Sequence, residues 1–386
     1  MKNKNRDYVP RPFYIAGLVL SLILICPATQ RYFSNLGERW LYVAGLSFAL
    51  SFCLTPVCKS LAIRRNIMLR TDTTGIPQNP TPVLGGVAVF LAFLISILLN
   101  GIYSGHLFAI LVGSAIVFGA GLLSDLREVS AWVRLVFQVV SALLVMAFGV
   151  SLKIFPSAMG LSGQVLNQVV TILWIVGLTN AISFFNGMDG LTGGLGAIFS
   201  LFLGIVSLQT DQPFLGWTSI ALMGACVGFL PYNFRYKKRA SIFMGHAGSM
   251  VTGFILACLA VYGDWSPDRP IVALASPLLI FWIPIFDMVY TTGRRVIEGK
   301  VSGFKEWIQY VGKDHLHHRL AYVLGEPKKG VVLIHLVSMC LGISAVVLRY
   351  ARTIDSILLI IQAFMIVLVL TILETYGRAR LSRGNS

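Results

Sequence analysis

The chain has 386 residues, of which 56% are hydrophobic and only 12% are charged, against about 25% charged residues in ordinary soluble domains. This composition excludes an ordinary soluble protein and, more firmly, a disordered one. Lysine and arginine number 31 against 16 acids, which gives a formal charge of +15. Because the charges lie between long apolar runs, they predict a polytopic protein of the lipid bilayer, with no nucleic acid as partner.

In chain order, twelve apolar segments reach or approach the roughly 20 residues that a helix needs to cross the hydrocarbon core of a bilayer. The sequence therefore predicts an all-α polytopic membrane protein with about 11–12 transmembrane helices and no room for a soluble domain. The first segment could instead be a signal peptide, because basic residues precede it, but no small-residue cleavage site follows. The predicted spans are 13–29, 40–62, 83–103, 106–124, 131–150, 165–185, 190–209, 214–233, 248–263, 270–293, 330–348 and 354–374.

We expect three regions: 1–39 as an N-terminal tail and extra span, 40–348 as the principal membrane domain, and 349–386 as a C-terminal span with a basic tail. The basic residues also predict the orientation. With the N-terminus in the cytoplasm, six of the 31 basic residues fall in outer connections, which leaves 25 on the cytoplasmic side or at its helix ends. By the positive-inside rule, both termini are then predicted to lie in the cytoplasm. The membrane is predicted to be the inner (plasma) membrane of the cell.

Unusual polar residues collect at the predicted cytoplasmic helix ends, among them Asp125, Asp189 and Asp287. Ionisable groups at membrane depth are costly unless they face a polar cavity, so these three predict a shared polar site on the inner face. Three of the six histidines lie within Asp314–Leu320. A tract of this kind is also typical of a solvated loop or of stray metal binding.

Three glycine-rich helix entrances lie on the same predicted side, at 85–86, 186–194 and 245–249. Backbone N–H groups at such entrances bind phosphate well, with help from the helix dipole. The alternative is that the glycines only allow close packing of helices in the membrane. Their position beside basic clusters and carboxylates favours a phosphate-rich ligand.

A series of short motifs runs in order from about Asp72 to Leu348. The motifs are TPVLGG at 81–86, GLLSDLRE at 121–128, NAISFFNGMDGL at 180–191, LPYNF at 230–234, FMGHAGS at 243–249, IPIFD at 283–287, RR at 294–295 and DHLHHRL at 314–320. Together they resemble the polyprenyl-phosphate N-acetylhexosamine-1-phosphate transferases, glycosyltransferase family 4. The first and last motifs are more similar to the N-acetylglucosamine-1-phosphate branch than to the muramoyl-pentapeptide branch.

The resemblance implies an enzyme that transfers N-acetylglucosamine 1-phosphate from a UDP-N-acetylhexosamine to undecaprenyl phosphate and releases UMP. This reaction would be the first membrane step of cell-wall or surface-polysaccharide synthesis, with the active site on the cytoplasmic face. Catalysis of phosphoryl transfer is mostly positioning and charge neutralisation, which agrees with a basic, glycine-rich site. A homodimer is a further expectation.

The resemblance also implies roles for individual residues. Asp125, Glu128 and Asp189 are the catalytic candidates, and Asp125 would take a proton from the lipid phosphate or orient it. His246 and Asp189 are the candidate ligands of the metal, Mg²⁺ or Mn²⁺. The candidate substrate-binding residues are Asn180, Asn186, Asn233, Gly248, Asp314, His315, His317, His318 and Arg319.

Several positions depart from the family motifs, and most of them lose or change an acid. Ser124 and Asn186 stand where the family has aspartates, Ser183 replaces an asparagine, and Glu128 replaces an aspartate. His246 stands at the family's magnesium-binding aspartate. Because Mg²⁺ prefers hard oxygen ligands, the imidazole predicts weaker Mg²⁺ binding or a softer metal such as Mn²⁺.

Three interpretations stay open at this point. The first is an active transferase with a rearranged site. The second is a family member that binds a nucleotide-sugar or a lipid phosphate without transfer. The third, an unrelated membrane transporter, is disfavoured by the order of the motifs.

Overall fold

The computed structural model describes residues 10–69, 80–127, 129–265, 270–310, 312, 314–348 and 352–384. This part of the chain is almost entirely helical, which confirms the all-α class, and its strands form one short antiparallel pair. The elements are α1 (Arg11–Ile25), α2 (Pro27–Asn35), α3 (Arg39–Arg64), β1 (Met68–Leu69), β2 (Thr81–Pro82), α4 (Gly85–Leu99), α5 (Gly105–Leu126), α6 (Ala131–Ala147), α7 (Gly160–Phe184), α8 (Leu191–Gln209), α9 (Pro213–Asn233), α10 (Gly245–Tyr262), α11 (Pro270–Ile280), α12 (Trp282–Ile297), α13 (Phe304–Gln309), α14 (Leu316–Leu324), α15 (Pro327–Val347) and α16 (Thr353–Gly384).

All twelve predicted spans coincide with a helix or a helix pair. Within the described ranges, eight helices are long and apolar enough to cross a membrane, and two bent pairs raise this number to as many as 10. The other two predicted spans correspond to α4, with 15 residues, and α6, with 17 residues. At about 1.5 Å per residue, helices of this length fall short of the roughly 30 Å hydrocarbon core.

The two bent pairs break next to prolines. The axes of α1 and α2 differ by 73°, and those of α11 and α12 by 77°. Pro27 begins α2, and Cys26 before it has an extended backbone, as the residue before a proline prefers. The second break lies at Phe281, between Pro277 and Pro284. The first predicted span is therefore a broken helix, because proline removes the N–H that a continuous helix needs.

Helix α10 is the central helix of the assembly, with 89% of its residues buried. It packs against α4, α5, α7 and α8. Gly86 of α4 and Gly248 of α10 make the closest approach, since a Cβ on either glycine would overlap the backbone of the other. Small residues at such a crossing let two membrane helices pack backbone to backbone. The start of α10 is consequently fixed in relation to four neighbours.

Backbone hydrogen bonds join the entrance of α4 to the entrance of α10. The Phe243 N–H donates to the Pro82 carbonyl at 2.7 Å. In return, the N–H groups of Gly85 and Gly86 donate to the carbonyls of Phe243 and Met244 at 2.9 and 2.8 Å. Two motifs that are far apart in the sequence thus form one rigid platform at the same end of the helix assembly.

Helix α16 packs against α11, α12 and α14. The segment predicted as a separate C-terminal region, 349–386, therefore includes a helix that contacts the principal membrane domain. The limits of the three regions stay a prediction.

Candidate functional site

A cavity of about 470 Å³ lies where the ends of α3 and α5, strand β1, the turn after α7 and the start of α10 meet. The sequence predicts that Asp125, Asn186 and His246 belong to one site, and all three line this cavity. Two arginines that carried no sequence-based role, Arg65 and Arg127, also line it. The polar wall consists of Arg65, Asn66, Ser124, Asp125, Arg127, Asn186 and His246.

Asp125 is a buried anchor for the N-terminus of α10, with only 3% of its side chain exposed. The N–H of His246 donates to Oδ1 at 2.8 Å, and the N–H of Ala247 donates to Oδ2 at 2.9 Å. The first N–H groups of a helix lack partners within it, and its dipole favours a negative charge there. Gly245, with φ +71°, lies against the carboxylate. These contacts favour a positioning role for Asp125 over proton transfer.

The His246 side chain borders the cavity and is 43% exposed. Its Nδ1 lies 3.2 Å from Asp125 Oδ1. A carboxylate oxygen only accepts, so this contact puts a proton on Nδ1 and leaves Nε2 as the nitrogen for a contact with substrate or metal. Asp125 thus orients both the helix and the imidazole that replaces the expected aspartate.

Asp189 lies in the turn between α7 and α8, beside a basic segment. Its Oδ2 accepts the N–H of Ala240 at 2.7 Å. Burial raises the pKa of Asp189 above its usual value, while the Ala240 bond and the charges of Lys328 and Arg239 oppose that rise. The Asp189 carboxylate is consequently surrounded by positive charge, and its Oδ2 is already occupied by a backbone hydrogen bond.

Asn233 fixes the same turn from the end of α9. Its Oδ1 accepts the Gly190 N–H at 2.9 Å, and its Nδ2 donates to the Ile242 carbonyl at 2.9 Å. The side chain is buried. The predicted substrate-binding residue Asn233 therefore connects two motif loops and uses both ends of its amide in doing so.

Asn180 and Gly248, also predicted to bind substrate, make internal contacts. Asn180 Nδ2 donates to Gln138 Oε1 at 2.6 Å and to the Val176 carbonyl at 2.8 Å, which joins α7 to α6. Gly248 lies against Gly86 in the α4–α10 crossing. Neither residue lines the cavity.

The glycine-rich entrances use their backbone N–H groups inside the protein. Gly85 and Gly86 donate to carbonyls before α10, and Gly190 donates to Asn233. His246 and Ala247 donate to Asp125. At these positions the packing alternative is favoured over phosphate binding by the backbone.

Asp287 organises the histidine motif from α12. It is 1% exposed, and its Oδ1 accepts the Leu316 N–H at 2.6 Å at the start of α14. Its Oδ2 lies 2.8 Å from His315 Nδ1, so His315 carries its proton on that nitrogen. One buried carboxylate thus caps the N-terminus of α14 and orients the first histidine of the motif.

Asp314, the first residue of the same motif, forms a two-bond ion pair with Arg295. The Nε and Nη2 of Arg295 each donate at 2.7 Å to the two carboxylate oxygens. Burial acts to raise the pKa of Asp314, but the bond and charge of Arg295 outweigh it, so the pKa lies below its usual value. The pair holds the residues before α14 against α12.

His317 and His318 lie beside the turn that borders the cavity. His317 is 1% exposed, and its ring lies 5.3 Å from Phe185 and 4.2 Å from His318, centroid to centroid. A Cβ added at Gly187, a cavity residue, would lie 3.6 Å from His317 Nε2. Burial lowers the pKa of His317 well below its usual value, so this ring is neutral near pH 7.

Arg319, predicted to bind substrate, is 1% exposed and contacts buried acids. Its Nη2 lies 3.7 Å from Asp287 Oδ1, and its Nε lies 3.2 Å from Glu374 Oε2 on α16. The guanidinium also lies over the Tyr290 ring at 4.4 Å. Glu374 is absent from the residues predicted from the sequence, although an acid inside an apolar helix is by itself a signal of a functional or paired position.

The metal prediction finds incomplete support in the part of the chain that the structure describes. No group of three or more His, Cys, Asp or Glu side chains there is placed to hold a metal ion. Asp125 uses both oxygens on backbone N–H groups, and Glu128 lies outside the described residues. His246 and Asp189 therefore do not form, with their described neighbours, a ligand set that fits Mg²⁺ or Mn²⁺.

Comparison with known proteins agrees with the motifs. The profile of glycosyl transferase family 4 matches residues 107–264, which include α5 to α10. Over 302 residues the chain is 30% identical to the probable undecaprenyl-phosphate N-acetylglucosaminyl 1-phosphate transferase of Bacillus subtilis, covering 77% of this chain and 82% of that protein. It is 32% identical over 331 residues to the decaprenyl-phosphate N-acetylglucosaminephosphotransferase of Mycobacterium leprae, with 77% and 81% covered. The undecaprenyl-phosphate alpha-N-acetylglucosaminyl 1-phosphate transferase of Escherichia coli is 25% identical over 311 residues, with 78% and 80% covered.

Proposed function

The chain belongs to glycosyl transferase family 4, and we propose on this premise that it transfers N-acetylglucosamine 1-phosphate from a UDP-sugar to undecaprenyl phosphate and releases UMP. The observation that carries the proposal is the 470 Å³ cavity, in which motif residues and two arginines share one wall. A nucleotide-sugar brings a diphosphate, and the lipid brings another phosphate. A wall with Arg65 and Arg127 supplies the positive charge and the donors that such anions need.

In the proposed reaction an oxygen of the lipid phosphate attacks the phosphorus that bears the sugar. The bond from this phosphorus to the oxygen of UMP breaks, and UMP leaves with the electron pair. The lipid phosphate is already an anion near pH 7, because the second pKa of a phosphate monoester is about 6. A strong general base is therefore unnecessary, and catalysis rests on alignment and charge neutralisation.

We assign the residues accordingly. Asp125 holds the start of α10 and directs His246 toward the cavity, and Asn186 and the two arginines contact the diphosphate. Asp189, with its cationic neighbours Arg239 and Lys328, orients the donor from the turn after α7. The histidine pair at 317 and 318 borders that turn, and His317, whose pKa is lowered by burial, contributes a neutral ring.

Dependence on a divalent metal is a question for experiment, since the described side chains do not form a set of ligands that fits Mg²⁺ or Mn²⁺. We derive no step through a metal. The replacement of an oxygen ligand by His246 predicts that activity responds to Mn²⁺ at least as well as to Mg²⁺.

The test is UMP release by purified protein with UDP-N-acetylglucosamine, undecaprenyl phosphate and a series of divalent metals. Release that requires both substrates supports the proposal, and Arg127→Met lowers it through loss of a cavity charge. Absence of UMP with every metal and several UDP-sugars overturns it. Donor binding without release would favour the altered, non-transferring family member, and uptake into proteoliposomes without a covalent product would favour a transporter.

The departure at His246 has its own test in the same assay. His246→Asp restores an oxygen ligand and raises Mg²⁺-dependent release if position 246 contacts the metal. A folded variant with no gain shows that His246 stands outside the metal site.

We also propose that the cavity opens to the cytoplasm and that both termini lie there, in the plasma membrane. The supporting observation is that the cavity lies at the end of the assembly where the basic residues are concentrated. Tyr236 is 85% exposed near this end, and Tyr103 is 61% exposed at the other. In a background without exposed cysteines, an impermeant maleimide should label Tyr103→Cys in intact cells and Tyr236→Cys only after the membrane is opened. The opposite labelling pattern would reverse the orientation.

A further inference from the structure

A charge triad of Asp287, Arg319 and Glu374 connects three helices in the interior of the protein. The Arg319 guanidinium on α14 lies between the carboxylates of Asp287 on α12 and Glu374 on α16. The exposed fractions of these side chains are 1% for Asp287, 1% for Arg319 and 3% for Glu374. An arginine this deeply buried needs a counter-charge, because removal of one partner leaves an uncompensated ion in a poorly solvated place.

Asp287, the other acid of the triad, already has three further contacts, one of which is the Thr291 hydroxyl, which donates to Oδ1 at 3.2 Å. Asp287 accepts the Leu316 N–H and the His315 ring N–H, at 2.6 and 2.8 Å. Arg319 lies farther from Asp287, at 3.7 Å, than from Glu374, at 3.2 Å. Glu374 thus supplies the nearer counter-charge. Without it, the guanidinium would be drawn to Asp287 and would compete with the contacts that start α14 and orient His315.

We propose that Glu374 is a positioning residue of the transferase, which holds the histidine helix α14 in place from the C-terminal helix α16. It acts through Arg319 and Asp287 and does not touch substrate. This inference rests on the proposed function for its kinetic consequence, while its structural consequence stands by itself. With this role for Glu374, helix α16, which lies outside the 107–264 family match, contributes to the positioning of the site residues.

The structural test is hydrogen exchange of the full-length protein in detergent. Glu374→Gln keeps the shape and removes the charge, and we expect exchange in peptides covering 314–324 to accelerate at least about tenfold, with little change in α10. Glu374→Asp keeps the charge and should stay within about threefold of the wild type. The matched control is Glu326→Gln, since Glu326 is exposed at the start of α15 and pairs only on the surface with Lys329.

The kinetic test separates positioning from a loss of folded protein. A smaller folded fraction lowers the apparent kcat for both substrates but leaves both KM values unchanged. Misplaced histidines should instead raise KM for the UDP-sugar at least about fivefold in Glu374→Gln, with KM for undecaprenyl phosphate within about twofold of the wild type. Recovery by Glu374→Asp would identify the carboxylate as the requirement.

The outcomes distinguish the two levels of inference. If the wild type releases no UMP, the proposed function fails, and the exchange data still decide the role of Glu374. Unchanged exchange in 314–324 overturns the positioning role. If Glu374→Gln yields no folded protein, Glu374→Asp decides: exchange in 314–324 within about threefold of the wild type supports the requirement for the carboxylate, and a larger or uniform acceleration overturns it.

Discussion

The replacement of Asp125 by asparagine is expected to destabilise the fold itself, because Asp125 is built into the start of α10. In the wild type, two backbone N–H groups donate to its oxygens at 2.8 and 2.9 Å. Asparagine keeps one acceptor and turns an NH₂ group toward the other N–H. The loss of one charge-assisted hydrogen bond costs about 1.5–3 kcal/mol. The lost attraction to the helix N-terminus adds roughly 0.3–1 kcal/mol, so we expect about 3 kcal/mol in all.

Denaturation of the purified variant in mixed micelles, followed by circular dichroism, measures this difference in the free energy of unfolding. Asp264→Asn is the matched control, because Asp264 is an exposed loop residue, and its change should stay within about 0.5 kcal/mol. The folded Asp125→Asn protein should lose less than about 100-fold in UMP release, the lower range for removal of a general base. Unchanged stability combined with a larger loss of activity would refute the anchor and make Asp125 the base.

Three other perturbations probe the platform and the histidine motif. Gly86→Ala should cost about 2 kcal/mol or more, since its Cβ would overlap the backbone of α10, whereas Gly119→Ala meets nothing within 4 Å and should be neutral in the same denaturation assay. Arg295→Lys should lower the melting temperature through loss of the two-bond pair with Asp314, by about 1–3 kcal/mol in free energy of unfolding. His317 has a pKa well below its usual value because it is buried. Below about pH 6.5 the ring takes up a proton in the unfolded chain and stays neutral in the folded protein. The free energy of unfolding should therefore fall with falling pH by up to about 1.4 kcal/mol per pH unit. His317→Phe should remove that part of the slope in a pH series of denaturation curves.

The membrane spans could be predicted from the sequence because hydropathy reports directly on the solvent around a helix. Every predicted span corresponds to helical structure, and residues from four of the motifs line one cavity. The bends were not predictable in this way. A run such as 13–29 stays apolar through Pro27. Proline permits a break there, but the angle between α1 and α2 also depends on how both helices pack against α3.

The roles of individual motif residues were less predictable than their proximity. A carboxylate beside a cavity has the same sequence signature whether it transfers a proton or caps the N-terminus of a helix. Only the geometry shows that Asp125 and Asp287 each accept the N–H groups at the start of a helix. The contact between Arg319 and Glu374 depends on the packing of α14 against α16, and no local pattern records such a pairing.

The departures from the family motifs have a common consequence for charge. Three of the acids that remain in the motifs, Asp125, Asp287 and Asp314, are engaged with helix starts or with arginines. The departures at Ser124 and Asn186 remove negative charge from the cavity wall, where Arg65 and Arg127 stay. Fewer acids beside two anionic substrates mean less repulsion and also fewer oxygen ligands for a metal. The scaffold that positions the site is therefore intact, and the expected effect of these replacements is a shift in metal dependence rather than a loss of the fold.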